Sequence, residues 1–299
     1  MRYSYLHPYA PQYFFQPECS KYPIFKSFYQ PYTMVGAVSW RMWKNIRLYR
    51  IIFSKPNIEK YVPEGHIREI LGDDSIIAIN SGSPGPEQKI TVIAVCNGNP
   101  VFLKYGRTET AIKLVENEYS VLMSLQGSDL SPAVFNHTAA RNFSFIKTEL
   151  FIGKRLSEKN LNSSIIQISK RISSIDAKGS LNSPADLKTS FAHGDFCPWN
   201  LMDVNGTIKA FDWEMAGYYP MGYDIFTFVF QTNFLLNPGM KIEEILEDNL
   251  RHITDFFGSL DWKPYLEAFA AIKLDIESGK GNTRLVPHYQ NLSFYAGKA

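Results

Sequence analysis

Residues 191–202 read Phe191-Ala192-His193-Gly194-Asp195-Phe196-Cys197-Pro198-Trp199-Asn200-Leu201-Met202, and residues 208–214 read Ile208-Lys209-Ala210-Phe211-Asp212-Trp213-Glu214. Between them lies Asp203-Val204-Asn205-Gly206. Asn-Gly is the dipeptide that most readily takes the left-handed backbone of a tight hairpin turn. A hairpin closed there brings Asn200 and Asp212 side by side. The stretch therefore offers a carboxylate, an amide and a second carboxylate on loops beside short apolar segments. Phosphoryl transfer needs these residue types. One carboxylate orients an acceptor hydroxyl and receives its proton, and hard oxygen ligands hold Mg²⁺ on nucleotide phosphates.

The spacing His193-Gly194-Asp195-x-x-x-x-Asn200, followed by Asp212-Trp213-Glu214, resembles the catalytic centre of the aminoglycoside phosphotransferase and choline kinase-like families, which share the protein-kinase-like fold. The resemblance implies Asp195 as catalytic base, Asn200 and Asp212 as Mg²⁺ ligands, and His193 as a structural brace. Gly217, Pro220 and Asp224 fit the family's following G-x-x-P-x-x-x-D stretch. Asp224 would there be a buried carboxylate tying down the catalytic-loop backbone. The implied fold class is α+β: a small antiparallel-sheet N-lobe with one helix, and a mainly helical C-lobe. The implied cofactors are ATP and Mg²⁺, and the implied partner is a small molecule bearing a hydroxyl acceptor.

The upstream sequence fits on its own pattern. Ser75–Ile79, Ile90–Val95 and Val101–Tyr105 are apolar, β-branched runs separated by the turn formers Ser81–Pro86 and Asn97–Pro100. Glu109–Leu125 carries apolar residues at three- and four-residue steps, which predicts a helix. Two further strands are expected around Ala133–Thr138 and Phe143–Glu149. Lys104 interrupts an apolar strand. It is either an edge-strand lysine with its tip in solvent or the lysine that the kinase-like fold keeps for nucleotide phosphates. The family's E-x-x-x-L-x-x-L spacing selects Glu118, rather than Glu116, as its partner. Ser81, Gly82 and Ser83 occupy the place of the phosphate-covering loop, and Glu149 and Phe151, at the lobe junction, complete the expected nucleotide contacts. That loop is not G-x-G-x-x-G, and no G-x-x-x-x-G-K-[ST] occurs anywhere. Gly194, Cys197 and Asp212-Trp213-Glu214 stand where protein kinases usually carry Arg, Lys and D-F-G, which favours a small-molecule substrate.

The 299-residue sequence as a whole sets bounds. Thirty-one basic against 29 acidic side chains give +2, so bulk charge does not argue for nucleic acid. The longest apolar run, near Phe226–Phe230, is far short of the ~20 residues that span a bilayer. The N-terminus lacks a signal-peptide core, and the three cysteines show no C-x-x-C, so a cytoplasmic protein without disulfide framework or zinc is expected. Organisation is expected as a basic, aromatic extension (1–70), an N-lobe (71–151) and a C-lobe (152–299). Residues 1–50 carry seven cations and one acid, Glu18, with five prolines before residue 32 that argue against a long helix or central strand. Ser39–Arg50 reads as one helix with a cation at every third position. It is either an amphipathic helix packed on the domain or an interfacial one, with residues 39–53 contacting a membrane or a protein. Further helices are expected at Leu156–Ile175, Tyr223–Leu236, Glu243–Leu260 and Trp262–Glu277. Two other functions compete with the kinase reading: a nucleotide-binding scaffold without turnover, and a two-metal phosphoesterase around His193, Asp195, Asn200 and Asp212.

Overall fold

The computed structural model describes residues 2–298 apart from 7–10, 30, 32, 56, 178, 183 and 185; Pro8, one of the five early prolines, lies outside the described residues. The chain forms two compact units, Met1–Tyr119 with Pro132–Ile152, and Ser120–Ser131 with Gly153–Ala299.

The first unit is built on an antiparallel sheet. Its strands are β1 (Tyr3–Tyr5), β2 (Tyr13–Phe15), β3 (Ser54–Lys55), β4 (Ile76–Asn80), β5 (Lys89–Cys96), β6 (Asn99–Gly106), β7 (Val134–Ala140) and β8 (Phe143–Glu149), in the order β3-β1-β2-β4-β5-β6-β8-β7. Helices α1 (Met34–Asn45), α2 (Arg47–Ile52), α3 (Glu64–Leu71) and α4 (Glu109–Ser124) accompany it. Successive strand residues point to opposite faces, and here both faces are buried. Ile77, Ile79, Ile90, Val92 and Ala94 pack with Ile67 and Leu71 of α3. Ala78, Ile93 and Val95 pack with Trp40 and Trp43 of α1. A sheet covered twice reads as continuous apolar runs, which is what Ile76–Ile79 and Ile90–Val95 are.

The described strands and helices before residue 71 thus contribute to this unit's sheet and core. Tyr3, Phe14, Phe15 and Trp43 are fully buried. The expectation of no central strand before residue 32 is overturned, because β2 pairs with β1 on one side and β4 on the other. A three-residue strand fits between Pro11 and Pro17, so the ladder loses no N–H to proline. The Trp43 indole donates to Ser4 Oγ at 2.8 Å, and the Tyr49 hydroxyl donates to the Leu6 carbonyl at 2.8 Å. The single helix expected over Ser39–Arg50 is two, broken at Ile46, whose backbone is extended (φ −116°, ψ 105°). The first begins earlier, at Met34, because the Thr33 side chain accepts the Gly36 N–H at 3.0 Å and caps it.

The second unit contains β9 (Lys154–Arg155), β10 (Thr189–Ala192), β11 (Leu201–Val204), β12 (Thr207–Ala210) and β13 (Gly217–Pro220), with helices α5 (Ser163–Ser173), α6 (Tyr223–Phe226), α7 (Thr232–Leu236), α8 (Ile242–Phe257), α9 (Lys263–Gly279) and α10 (Val286–Ala296). The strands form two small antiparallel sheets, β10-β13 and β12-β11-β9. The helix expected from Leu156 starts only at Ser163. Lys154–Arg155 is drawn into pairing with β11, and the Asn162 side chain caps the helix through the Ile165 N–H at 3.0 Å. Tyr223–Leu236 is helical throughout, but residues Thr227–Gln231 form a π turn between α6 and α7. The last helix, α10, is absent from the sequence reading, which stops at Glu277.

Candidate active site

The β11–β12 hairpin forms at the Asn205-Gly206 turn, where both residues take positive φ (54° and 85°). Its register places Leu201 opposite Ala210, and beyond the hairpin the Phe211 N–H donates to the Asn200 carbonyl at 3.1 Å. Asn200 and the Phe211-Asp212 segment are thereby neighbours across two backbones. Asp212 itself is left-handed (φ 70°, ψ 54°), a conformation that costs a non-glycine residue free energy and turns the chain sharply.

The preceding loop is locked from three directions. Gly194 takes φ 83°, and a Cβ there would come within 2.1 Å of the Met215 carbonyl oxygen, so only glycine fits. The His193 and Gly194 N–H groups donate to the two oxygens of Asp224 at 2.8 and 3.0 Å. Asp224 is buried, and burial pushes its carboxyl above the ordinary carboxylate range, opposed by the two N–H donors and Lys273. The His193 ring is buried too. Its Nε2 donates to the Phe211 carbonyl at 3.0 Å and its Nδ1 accepts the Asp195 N–H at 3.3 Å, which fixes the neutral Nε2–H tautomer. Both of its ring nitrogens thereby meet loop backbone.

Asp195 is half-buried and held at both oxygens. Asn200 Nδ2 donates to its Oδ2 at 2.8 Å and to its carbonyl at 2.9 Å. Gln231 Nε2 donates to its Oδ1 at 2.6 Å. Because the Asn200 amide nitrogen is spent on Asp195, Asn200 Oδ1 is the atom left to ligate a cation. The Asp212 and Glu214 carboxylates lie within 4.8 Å of each other. An amide oxygen and carboxylates are the hard donors that Mg²⁺ takes, so the residues fit such an ion. Cys197 is fully buried, with Sγ 3.7 Å from Asp195 Oδ1, and burial pushes its thiol well up. It is a packed thiol, not a nucleophile.

In the first unit, Lys104 on β6 is only 4% exposed and its ammonium meets Glu118 of α4 at 2.5 Å. The edge-strand alternative is excluded, since β6 pairs with β5 and β8. Glu116 faces away from this pair, accepting from Ser144 and lying 2.8 Å from His137 Nε2. The loop after β4 is less open than the sequence suggests. The Ser81 N–H donates to the Gln12 carbonyl beside β2 at 2.9 Å and the Gly82 N–H to Asn80 Oδ1 at 3.0 Å, so these two donors are spent within the protein. Ser83 is exposed. Glu149 closes β8 with its N–H on the Ala133 carbonyl at 2.8 Å, and Phe151 is buried.

Residues 159–247 match the phosphotransferase enzyme family. That span covers Asp195, Asn200, Asp212 and Asp224. The solved structure of aminoglycoside phosphotransferase APH(4)-Ia superposes with a TM-score of 0.55 at 14% identity, over 78% of this chain and 97% of that one. A thermostable mutant of the same enzyme, in ternary complex with ADP and hygromycin B, gives 0.54 at 15% identity, over 78% and 97%. Amicoumacin kinase hAmiN, in complex with AMP-PNP, Ca²⁺ and amicoumacin, gives 0.52 at 12% identity, over 79% and 94%. At these identities the likeness establishes the fold, which is protein-kinase-like and α+β, as the motif implies. Comparison with curated protein sequences finds no match.

Against this phosphotransferase framework, four residues were missed by the sequence reading. Gln231 sits in the π turn, where Lys273 donates to its Oε1 at 2.9 Å and the Tyr289 hydroxyl at 3.3 Å. With its oxygen so engaged, its amide nitrogen must face Asp195. Lys273, buried on α9, also reaches the Gly194 carbonyl at 3.4 Å and lies 5.3 Å from the Tyr223 ring centre. One available signal was the lone polar residue, Lys273, in the apolar helical run Phe269–Leu274. Glu214 had been quoted only as part of a motif.

Proposed function

We propose that the protein is an ATP-dependent phosphotransferase that moves the γ-phosphoryl group to a hydroxyl of a small molecule. The observation that carries this reading is the Asp195 carboxylate fixed between two amide donors, Asn200 and Gln231, on a loop braced by His193 and Asp224. The family match over residues 159–247 supports the reaction type. ADP with hygromycin B and AMP-PNP with amicoumacin in similar folds support a nucleotide and a small hydroxylated acceptor.

In this reading Asp195 orients the acceptor hydroxyl and receives its proton as the oxygen attacks phosphorus. Holding both carboxylate oxygens means that little reorganisation is left for the reacting moment. Lys104, positioned by Glu118, sets the nucleotide phosphates. Asn200 and Asp212, with Glu214 close to Asp212, would hold Mg²⁺, which when bound supplies charge neutralisation on the phosphates. Ser83 and the hydroxyl of Ser81 would be loop donors toward phosphate, and Glu149 and Phe151 would border the adenine side.

Asp195→Ala should lower turnover by ~10²–10⁴-fold, the range for a positioned general base, with ATP affinity retained. Asp212→Ala should abolish the Mg²⁺ dependence of nucleotide binding. ATP consumption and calorimetric titration over a panel of sugars, amino alcohols and aminoglycosides read both. Unchanged Mg²⁺-dependent affinity in the Asp212 variant would overturn the metal assignment. The internally spent N–H groups of Ser81 and Gly82 favour a second reading, a nucleotide-binding scaffold. Tight ATP binding without turnover on any acceptor is its signature.

A further inference from the structure

The segment Met34–Ile52 presents two faces of opposite character. Gly36, Trp40 and Trp43 of α1 and Tyr49 of α2 turn inward and are buried. Outward, Met34, Val38 and Met42 recur every fourth residue, so they share one face of α1 with Val35 beside them. Leu48, Ile51 and Ile52, at three- and four-residue steps from Leu48, share one face of α2. Exposure is high for large apolar side chains: 85% at Met34, 70% at Val35 and 62% at both Leu48 and Ile52. Exposed cations flank this strip at Arg41, Lys44 and Arg47. Arg50 is a fourth cation but serves the fold, donating to the Trp43 carbonyl at 2.6 Å and lying over the Trp43 ring. Across residues 19–58 there are seven cations and no Asp or Glu. Residues 1–50 sum to +6 while the whole chain is +2, so the other 249 residues sum to −4 and the positive field is concentrated here.

We infer that the outward face of α1 and α2 docks the protein on an anionic membrane surface. The chemistry matches that occupant. A helix lying in a bilayer interface needs an aliphatic strip flanked by Lys and Arg, with no acid to be repelled by anionic headgroups. Protein interfaces instead deplete lysine at their centre and are anchored by Trp and Tyr. Here Trp40, Trp43 and Tyr49 are spent on the protein's own core, leaving an aliphatic strip beside one sign of charge. The inference is independent of the catalytic reading, because its test needs neither nucleotide nor acceptor.

The test is co-sedimentation of the full-length protein with vesicles of phosphatidylcholine alone and of phosphatidylcholine mixed with phosphatidylglycerol. Binding is expected to the mixed vesicles only, and to fall as salt is raised. The triple variant Arg41→Gln/Lys44→Gln/Arg47→Gln should weaken it about a hundred-fold, at roughly fivefold per cation. Leu48→Ser/Ile51→Ser/Ile52→Ser should weaken it by at least about tenfold. All six side chains are exposed, and the Lys44 ammonium also lies 5.5 Å from the Trp40 ring centre, so unchanged circular dichroism and at most a small drop in thermal midpoint are expected and guard against misfolding. No binding to mixed vesicles, or equal binding to neutral ones, overturns the inference. So does self-association of the free protein that the serine variant abolishes, which would assign the face to a second copy of the chain.

Discussion

Replacing Gln231 by leucine removes the amide on which four bonds converge: its donations to Asp195 at 2.6 Å and to Cys197 Sγ at 3.4 Å, and the bonds it accepts from Lys273 at 2.9 Å and Tyr289 at 3.3 Å. Leucine nearly conserves volume, so the cavity contribution is small. Two of the lost bonds involve a charged group, each worth about 1.5–3 kcal/mol. The Lys273 ammonium is then left with the 3.4 Å contact to the Gly194 carbonyl and the Tyr223 ring. A loss of about 3–5 kcal/mol is expected, as for a buried charge stripped of its partner. Lys273→Met should cost less, about 1–3 kcal/mol, because it also removes a desolvated ammonium. The double variant should recover at least about 1 kcal/mol relative to the sum, since an apolar pair leaves no stranded charge. Chemical denaturation of the wild type, both single variants and the double variant measures this cycle. Turnover should fall at least about tenfold in all three variants and not recover in the double, because Asp195 still lacks its second donor. Additivity within about 0.5 kcal/mol would refute the coupled network, and restored turnover in the double variant would refute its role in holding Asp195.

Gly194→Ala forces a Cβ to within 2.1 Å of the Met215 carbonyl at φ 83°, so loss of soluble protein or of more than about 3 kcal/mol is expected; wild-type stability by denaturation would contradict the loop geometry. Lys104→Met should destabilise by about 3–5 kcal/mol by taking the ammonium from buried Glu118, and adding Glu118→Leu should restore most of that stability but not ATP affinity. Recovered affinity in calorimetry would exclude Lys104 from phosphate positioning. Burial and Asp195 push the Cys197 thiol up and burial pushes Cys19 up, so at neutral pH alkylation of the folded protein should mark half-buried Cys96 alone. Mass-spectrometric labelling of Cys197 at a comparable rate would show that its site opens.

The loop around Asp195 was readable because most of its constraints are local in sequence. Asn205-Gly206 dictates the hairpin, the hairpin aligns Asn200 with Phe211, and Gly194 occupies a position that only glycine satisfies. The strands from Ile76 to Glu149 were readable because burial on both faces leaves unbroken apolar runs. What escaped was set by distant partners. Gln231 and Lys273 are 42 residues apart, and nothing local says that the amide of one is turned by the ammonium of the other. β2 escaped because three residues between prolines carry no pattern, and its pairing with β4 closes over 60 residues of chain. The outward strip of α1 and α2 was visible as charge spacing. Which aromatic rings turn inward became clear only from the sheet face that they cover.

The central claim is that Asp195, held by Asn200 and Gln231, takes a proton from a hydroxyl as phosphoryl is transferred from ATP. The most direct measurement is phosphorus NMR of wild-type protein and Asp195→Asn, each incubated with Mg²⁺, ATP and the acceptor panel. The account predicts a new phosphomonoester signal growing in step with ADP for the wild type and lost in the variant, with ATP affinity equal in both. A phosphomonoester formed equally by both proteins would contradict it, as would ATP bound tightly by the wild type with no phosphomonoester from any acceptor.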